Sequence, residues 1–300
     1  RMTHVQGSVN INAVATGLNF GDVPVYSFNA PNRRYTDLGV VRQLTSNERA
    51  SYRSFTLETH KLAINNAAVS WDLSYTFARS IDQDTNERST STSFLFDPLN
   101  PKLSEGLSDN DVTHRFVGDV TYRLPFGFQV SGIASYRTGV PYTAGISFIG
   151  SGTNATSLNG LSQTSGNIPI YLDSNGNIID LTQASGLTRS QFQDFLGARG
   201  AHILGRNTER QPDVFNIDLR LSKVFGLPGG IRLEVLGEAF NLVNQKNRFV
   251  GTANQQYFGA TLTAATDVLT FTRNVNFGKT NGYLSTSDPR QYQVAAKFIF

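Results

Sequence analysis

The last ten residues, QYQVAAKFIF, put Tyr292, Val294, Ala296, Phe298 and Phe300 on one side of an extended chain. Gln291, Gln293, Ala295 and Lys297 fall on the other side, with Ile299 the exception. A period of two belongs to a β-strand. The same period returns along the chain. In DVFNIDLRLSKVF (213–225), Phe215, Ile217, Leu219 and Leu221 oppose Asn216, Asp218, Arg220 and Ser222. VSWDLSYTF (69–77) sets Val69, Trp71, Leu73, Tyr75 and Phe77 against Ser70, Asp72, Ser74 and Thr76. FVGDVTYRL (116–124), FQVSGIASYR (128–137), IRLEVLGEA (231–239) and VQGSVNINA (5–13) alternate as well. RYTDLGVVRQL (34–44) and SYRSFTLETHKL (51–62) do so more weakly.

A soluble sheet with one wet face also alternates. Charges on every second position of long strands, however, suit a wet interior and not the dry core of a sandwich. The runs exceed the roughly 5–6 residues of a soluble strand. They match the roughly 9–11 that cross a bilayer at a tilt. The fold read from this pattern is all-β, an antiparallel transmembrane β-barrel. Composition agrees with it: 39% of residues are hydrophobic and 16% charged, with mean hydropathy -0.24. No stretch approaches the roughly 18–20 apolar residues of a membrane helix, which excludes a helical membrane protein. A barrel hides its apolar content by alternation. Aromatics, at 11%, supply interfacial girdles. Without cysteine there are neither disulfides nor thiolate metal sites. A net charge of +3 is too small to argue for a nucleic-acid partner. No charged-then-apolar leader stands at Arg1.

The connections come in two kinds. LPFG (124–127), GLPGG (226–230) and INNA (64–67) are tight turns. The segments 81–111, 140–212 and 243–290 are long, polar and rich in Ser, Thr, Asn and Gly. Short periplasmic turns and long extracellular loops are the asymmetry of outer-membrane barrels. With the tight turns in the periplasm, 291–300 runs down, 230–242 up, 213–225 down, 127–139 up and 112–123 down. Then 67–80 runs up, 50–62 down, 34–45 up and 3–14 down. This makes about nine strands, an odd number, with the first starting outside the cell, whereas bacterial barrels have an even count. The expectation is therefore the C-terminal portion of a larger barrel.

Two segments inside the loops carry local signals. PIYLDSNGNIIDL (169–181) reads as a hairpin turning at Asn175-Gly176. The oxygens of Asp173, Asn175, Asn177 and Asp180 also permit a calcium loop, but the EF-hand Glu at the twelfth position is missing. LTRSQFQDFLGARG (187–200) reads as a short helix. It has a Thr188/Gln191 capping box, an apolar face of Phe192, Phe195 and Leu196 that packs the loop onto the barrel mouth, and Gly200 as a stop.

Catalytic signals are poor, and the reading is not an enzyme. G-x-S-x-G, H-E-x-x-H and a Rossmann glycine run are all missing. FGKT (277–280) lacks the earlier glycine of a phosphate loop, since Arg273 stands there. His4, His60, His114 and His202 have no ligand spacing, and no cofactor is implied. The polar faces carry the more credible function. Asp72, Asp119, Arg123, Arg137, Asp218, Arg220, Arg232, Glu234, Glu238 and Lys297 are expected to look into the lumen. There they form cross-strand pairs that hold register, or a ladder that anchors a plug or guides a polar solute.

Five segments together resemble the C-terminal barrel of TonB-dependent outer-membrane receptors of the Oar-like group. They are SWDLSYTFARSID (70–82), NDVTHRFVGDVTYRLPFGFQVSG (110–132), GRNTERQPDVFNIDLRLSKVF (205–225), RLEVLGEAFNLVNQKNRF (232–249) and DPRQYQVAAKFIF (288–300). The resemblance implies a barrel of about 22 strands in the bacterial outer membrane, plugged by its own N-terminal domain and preceded by a further N-terminal β domain. It implies TonB-driven uptake of a bulky ligand, with the plug and the TonB-contacting segment upstream of this chain. Implied partners are outer-membrane lipid, the plug, the TonB complex, and the barrel-assembly machinery through the strand ending at Phe300. The segments 140–212 and 243–290 are the expected ligand-facing surface. A passive porin or surface adhesin is the alternative, and a barrel hydrolase a distant third. If the two faces are assigned correctly, Leu219→Arg costs roughly 2–4 kcal/mol near the midplane and Arg220→Gln much less. Unfolding titrations in bilayers check this, and equal tolerance at both positions shows the faces to be misassigned.

Overall fold

The computed structural model describes residues 2–27, 33–39, 41–63, 67–83, 96–97, 99–151, 168–263, 265–285 and 287–300. Eight long strands make an antiparallel meander: β1 (Met2–Asn10), β2 (Arg42–Lys61), β3 (Val69–Asp82), β4 (His114–Arg123), β5 (Phe128–Arg137), β6 (Val214–Gly226), β7 (Arg232–Phe240) and β8 (Gln291–Ile299). Each pairs with its neighbours in chain order, and the two-residue strand Gly106–Leu107 adds to the top of β3 as a ninth member. Among the described residues β1 and β8 each have a strand neighbour on one side only.

The sheet differs from the expectation at its start. The segments 34–45 and 50–62 are not two strands; one 20-residue strand runs from Arg42 to Lys61. The cause is local. The side-chain amide of Asn12 donates to the carbonyls of Tyr35 (3.1 Å) and Leu38 (2.9 Å), and its oxygen accepts from the Tyr35 N–H (2.6 Å). This curls 33–39 into turns. Beyond it, Ser46-Asn47-Glu48 has no Gly or Pro to break the extended chain. β1 therefore runs antiparallel to the upper part of β2, from Met2 opposite Ala50 to Asn10 opposite Arg42. Its first residue is directed toward the tight-turn side, so the meander has eight long strands and its first runs up, where nine with a downward first strand were expected.

Two of the three tight turns are as expected; Ile64, Asn65 and Asn66 lie outside the described residues. Leu124-Pro125-Phe126-Gly127 and Leu227-Pro228-Gly229-Gly230 are built alike. The Leu124 N–H donates to the Phe128 carbonyl (2.9 Å) and the Leu227 N–H to the Ile231 carbonyl (2.8 Å). The last two positions of each turn need positive φ, at 63° and 78° in one and 79° and 79° in the other. Glycine meets this without strain, while Phe126, 90% exposed, meets it at a cost.

The dry core lies outside the wall. Residues 14–27, 145–151, 168–204, 256–263 and 265–273 fold into a cap with its own hydrophobic centre. A four-stranded sheet runs Ile168–Pro169, Gly145–Ser151, Gln256–Thr263, Val268–Arg273, and its middle pair is parallel. Helix α1 (Arg189–Gly197) packs against the hairpin of Val14–Phe20 and Val23–Ser27. Phe20, Tyr171, Phe192, Phe258, Leu269 and Phe271 meet in this centre, with Phe192 edge-on to Phe20 at 5.0 Å. Burying each such side chain stabilises by about 1.5–3 kcal/mol. The helix has the expected capping box, Thr188 with Gln191. Its face of Phe192 and Leu196, with Phe195 partly buried, packs into this cap. The expected hairpin keeps its turn, with a single bridge between Leu172 and Ile178. Its first arm, however, pairs with His202–Ile203.

Gly127 tests the turn argument. An added Cβ would lie 2.7 Å from the Val224 carbonyl oxygen at a φ of 78°. Gly127→Ala is expected to cost about 1–3 kcal/mol in unfolding titrations. Gly226→Ala, with open space around the added carbon and no positive φ, is expected to stay within about 0.5 kcal/mol.

Candidate functional site

Residues directly opposed across antiparallel strands share a face. The register therefore carries each face across the wall. His60, Asp72, Asp119, Ile133 and Asp218 form one row over five strands. Arg220, Glu238 and Gln293 form another, and Glu234 stands opposite Lys297. All ten expected lumen residues thus share one face: Asp72, Asp119, Arg123, Arg137, Asp218, Arg220, Arg232, Glu234, Glu238 and Lys297. The opposite face is apolar. Leu57, Tyr75, Phe116, Tyr136 and Phe215 form a cross-strand row near its upper end. Near its lower end Lys61 lies 5.1 Å over Trp71, and Lys223 lies 4.4 Å over Phe128. Val294, Tyr292 and Phe55 on this face are 80%, 69% and 63% exposed. Large apolar side chains held outward in a band, with aromatics at both ends, need lipid and not water around them.

The polar face holds its charges in tiers. Arg220 pairs with Glu234 at 3.0 Å and with Glu238 at 3.8 Å, bridging β6 and β7. With Arg220 40% exposed, such pairs contribute at most about 1 kcal/mol each, and their effect is on register. Asp218 accepts from the Asn241 N–H (2.8 Å) and the Asn216 amide (2.9 Å), which ties it to the rim. Elsewhere like charges face one another: Asp72 stands opposite Asp119, and Arg115 opposite Arg137. A hollow of about 360 Å³ opens over Asp72, Ser74, Asp119, Thr121 and Ser131. Like charges directly opposed are unfavourable, and a water-filled wall tolerates them by screening.

Above the wall, the segment GRNTERQPD (205–213) clamps the cap to the barrel. The Arg206 guanidinium is buried against the Asp82 carboxylate, and Nη2 also donates to the Asp82 and Leu107 carbonyls. Burial pulls the Arg206 pKa down to about 10 while the nearby Glu48 charge opposes the shift, so Arg206 stays protonated at neutral pH. Arg210 pairs with Asp111 at 2.6 Å and donates to Thr113 Oγ1 (2.7 Å) and the Gly139 carbonyl (2.9 Å). Asp213 accepts from the Tyr136 hydroxyl (2.6 Å) and the Gly139 N–H (3.0 Å). Gly139 is obligatory, because a Cβ there would overlap the Gln211 carbonyl oxygen. EAFNLVNQ (238–245) forms a second rim fastening. Asn241, at φ 48°, donates through its side chain to the Gln245 (3.0 Å) and Asp288 (2.8 Å) carbonyls.

In the segment named for a calcium loop, Asp173 and Asp180 each accept local backbone hydrogen bonds. Asp173 Oδ1 accepts from the Asn175 (2.8 Å) and Asn177 (2.9 Å) N–H groups. The bond from Asn177 above all holds its carboxyl below the usual range. Asp180 caps the next turn, accepting from the Thr182 N–H (3.1 Å). Among the described residues no three His, Cys, Asp or Glu side chains gather to hold a metal.

The cap and the clamp were the features not read from the sequence. A signal for the cap was present: Phe258, Ala260 and Leu262 alternate with Tyr257, Gly259 and Thr261, and Leu269 and Phe271 repeat the period. The surrounding Ser, Thr and Asn masked it as loop. The clamp had no such signal, since Arg206 and Asp82 are 124 residues apart.

A lipid-facing apolar band, a polar inner face and a fastened external cap define the wall of an outer-membrane barrel. Residues 1–293 match the family model described as the outer membrane beta barrel domain. The chain belongs to that family, and its place is the bacterial outer membrane. No curated protein matches it. Among solved structures it is similar to the outer membrane transporter YddB from Escherichia coli, at 9% identity and a TM-score of 0.42, over 98% of this chain and 28% of that one. The chain thus spans less than a third of that transporter's length.

The clamp can be tested by itself. Arg206→Met removes the guanidinium that pairs with the buried Asp82 carboxylate, at an expected cost of about 3–5 kcal/mol. Amide hydrogen exchange is expected to accelerate at Leu107 to Asp111 and at Asn207, while exchange in β5 and β6 stays at the parent rate.

Proposed function

We propose that the chain is wall and external cap of a larger outer-membrane transporter barrel that takes up a bulky ligand with energy supplied through TonB. The observation that carries this reading is the pair of open edges on the crossing part of the sheet: among the described residues, 51–61 of β2 pairs with β3 alone and β8 pairs with β7 alone. Unpaired backbone groups in lipid cost several kcal/mol each, so further strands are needed to close the wall. The Oar-like resemblance of 205–225 and 232–249 supplies about 22 strands, with the plug and the TonB-contacting segment in the remainder of the protein. The ten polar-face residues line the lumen in this reading. The cap built from 145–151, 168–204, 256–263 and 265–273 is the surface that ligand meets first. No residue of the chain is assigned a catalytic role.

The test uses the full protein in its own host. Ligand-dependent growth or uptake that is lost both on deleting the receptor and on deleting TonB supports the reading, together with a closed state in planar bilayers. Steady open conductance with uptake independent of TonB overturns it in favour of a passive pore.

A further inference from the structure

We propose that the outer wall carries a binding site for the phosphate-bearing headgroup of an outer-leaflet lipid, built from Arg53, Arg79, Arg49 and Lys102. Arg53 and Arg79 are directly opposed on β2 and β3. They lie on the apolar face, one step above the opposed pair Phe55 and Phe77 and two steps above Leu57 and Tyr75. Like charges directly opposed across strands destabilise a sheet. On the inner face water and salt screen such a pair, but Arg53 and Arg79 stand on the side where lipid begins. From Val69 to Arg79 the strand climbs about ten residues, or roughly 25 Å at a barrel tilt, which is the height of the apolar band. The two guanidinium groups therefore sit at the level of headgroups in the outer leaflet.

A hollow of about 430 Å³ reaches Arg53, the cross-strand neighbour of Arg79, and is lined by Arg49, Arg53, Lys102, Tyr52, Ile81 and Glu105. The Glu105 carboxylate accepts from the Gln83 side-chain amide at 3.2 Å. No carboxylate lies within ion-pair distance of Arg49, Arg53, Arg79 or Lys102 among the described residues. Arginine forks fit phosphate bidentately, and the exposed Phe55 and Phe77 rings below offer a surface for acyl chains. The site depends on the outer-membrane location and not on the uptake reading, so either can fail alone.

The test is native mass spectrometry of the full protein, delipidated in detergent and offered three probes: diphosphoryl lipid A, its phosphate-free counterpart, and inorganic phosphate. Diphosphoryl lipid A is expected to bind. Arg53→Gln with Arg79→Gln is expected to weaken that binding roughly tenfold or more. Arg115→Gln with Arg137→Gln, the opposed arginines of the inner face, is expected to leave it unchanged. If the Arg53/Arg79 variant does not assemble, Arg49→Gln with Lys102→Gln is read in the same way. Equal binding by variant and parent overturns the site, and so does equal binding of the phosphate-free lipid. Inorganic phosphate that competes the lipid off at equal concentration marks an adventitious ion only, and also overturns it.

Discussion

Backbone hydrogen bonding in a medium without water governs the wall. Inside hydrocarbon each N–H and C=O must find its partner in the protein, and a sheet does this only between neighbouring strands. From β3 to β7 every strand has a partner on both sides, while β2 takes β1 along its upper part and β3 along its lower part. Once the backbone is satisfied in this way, the side chains divide by parity. One parity meets lipid and carries Phe55, Tyr75, Leu219 and Val294. The other meets water and carries Arg220, Glu234 and Glu238 as cross-strand pairs. The turns obey the same economy, since a short Leu-Pro-X-Gly link reverses the chain with a single closing hydrogen bond.

The cap is held by different forces. Its centre is dry and aromatic, with Phe20, Tyr171 and Phe271 each packed on Phe192, so hydrophobic burial stabilises it as in a soluble domain. Its attachment to the wall is polar. Arg206 with Asp82, Arg210 with Asp111, and Asp213 with Tyr136 span the junction. The junction is thus specific in geometry while the cap's cohesion does not depend on it.

Much of this was legible in advance. The alternation in 69–77, 116–124, 213–225 and 291–300 assigned each of those residues to a face, and the register keeps all ten polar-face residues together. Thr188 and Gln191 marked the helix start, and the two Leu-Pro turns marked reversals. The reading went wrong where a distant residue decided. Asn12 turns the 33–39 chain away from the strand its weak alternation suggested. The apolar alternation of 256–263 and 268–273 was hidden because Ser, Thr and Asn around it argue for loop. The hairpin at Asn175-Gly176 kept its turn but gave its first arm to His202–Ile203, a partner that its own sequence does not announce.

Sequence by itself determined the medium, the period and the sidedness, because these follow from side chains two residues apart along one strand. Tertiary structure decided what joins across long intervals: the single strand from Arg42 to Lys61, the parallel pair of Gly145–Ser151 with Gln256–Thr263, and the burial of Arg206 against Asp82. Local chemistry fixes a strand's two faces through the pleat. Which distant segment lies beside it depends on packing and charge pairing that no local period encodes.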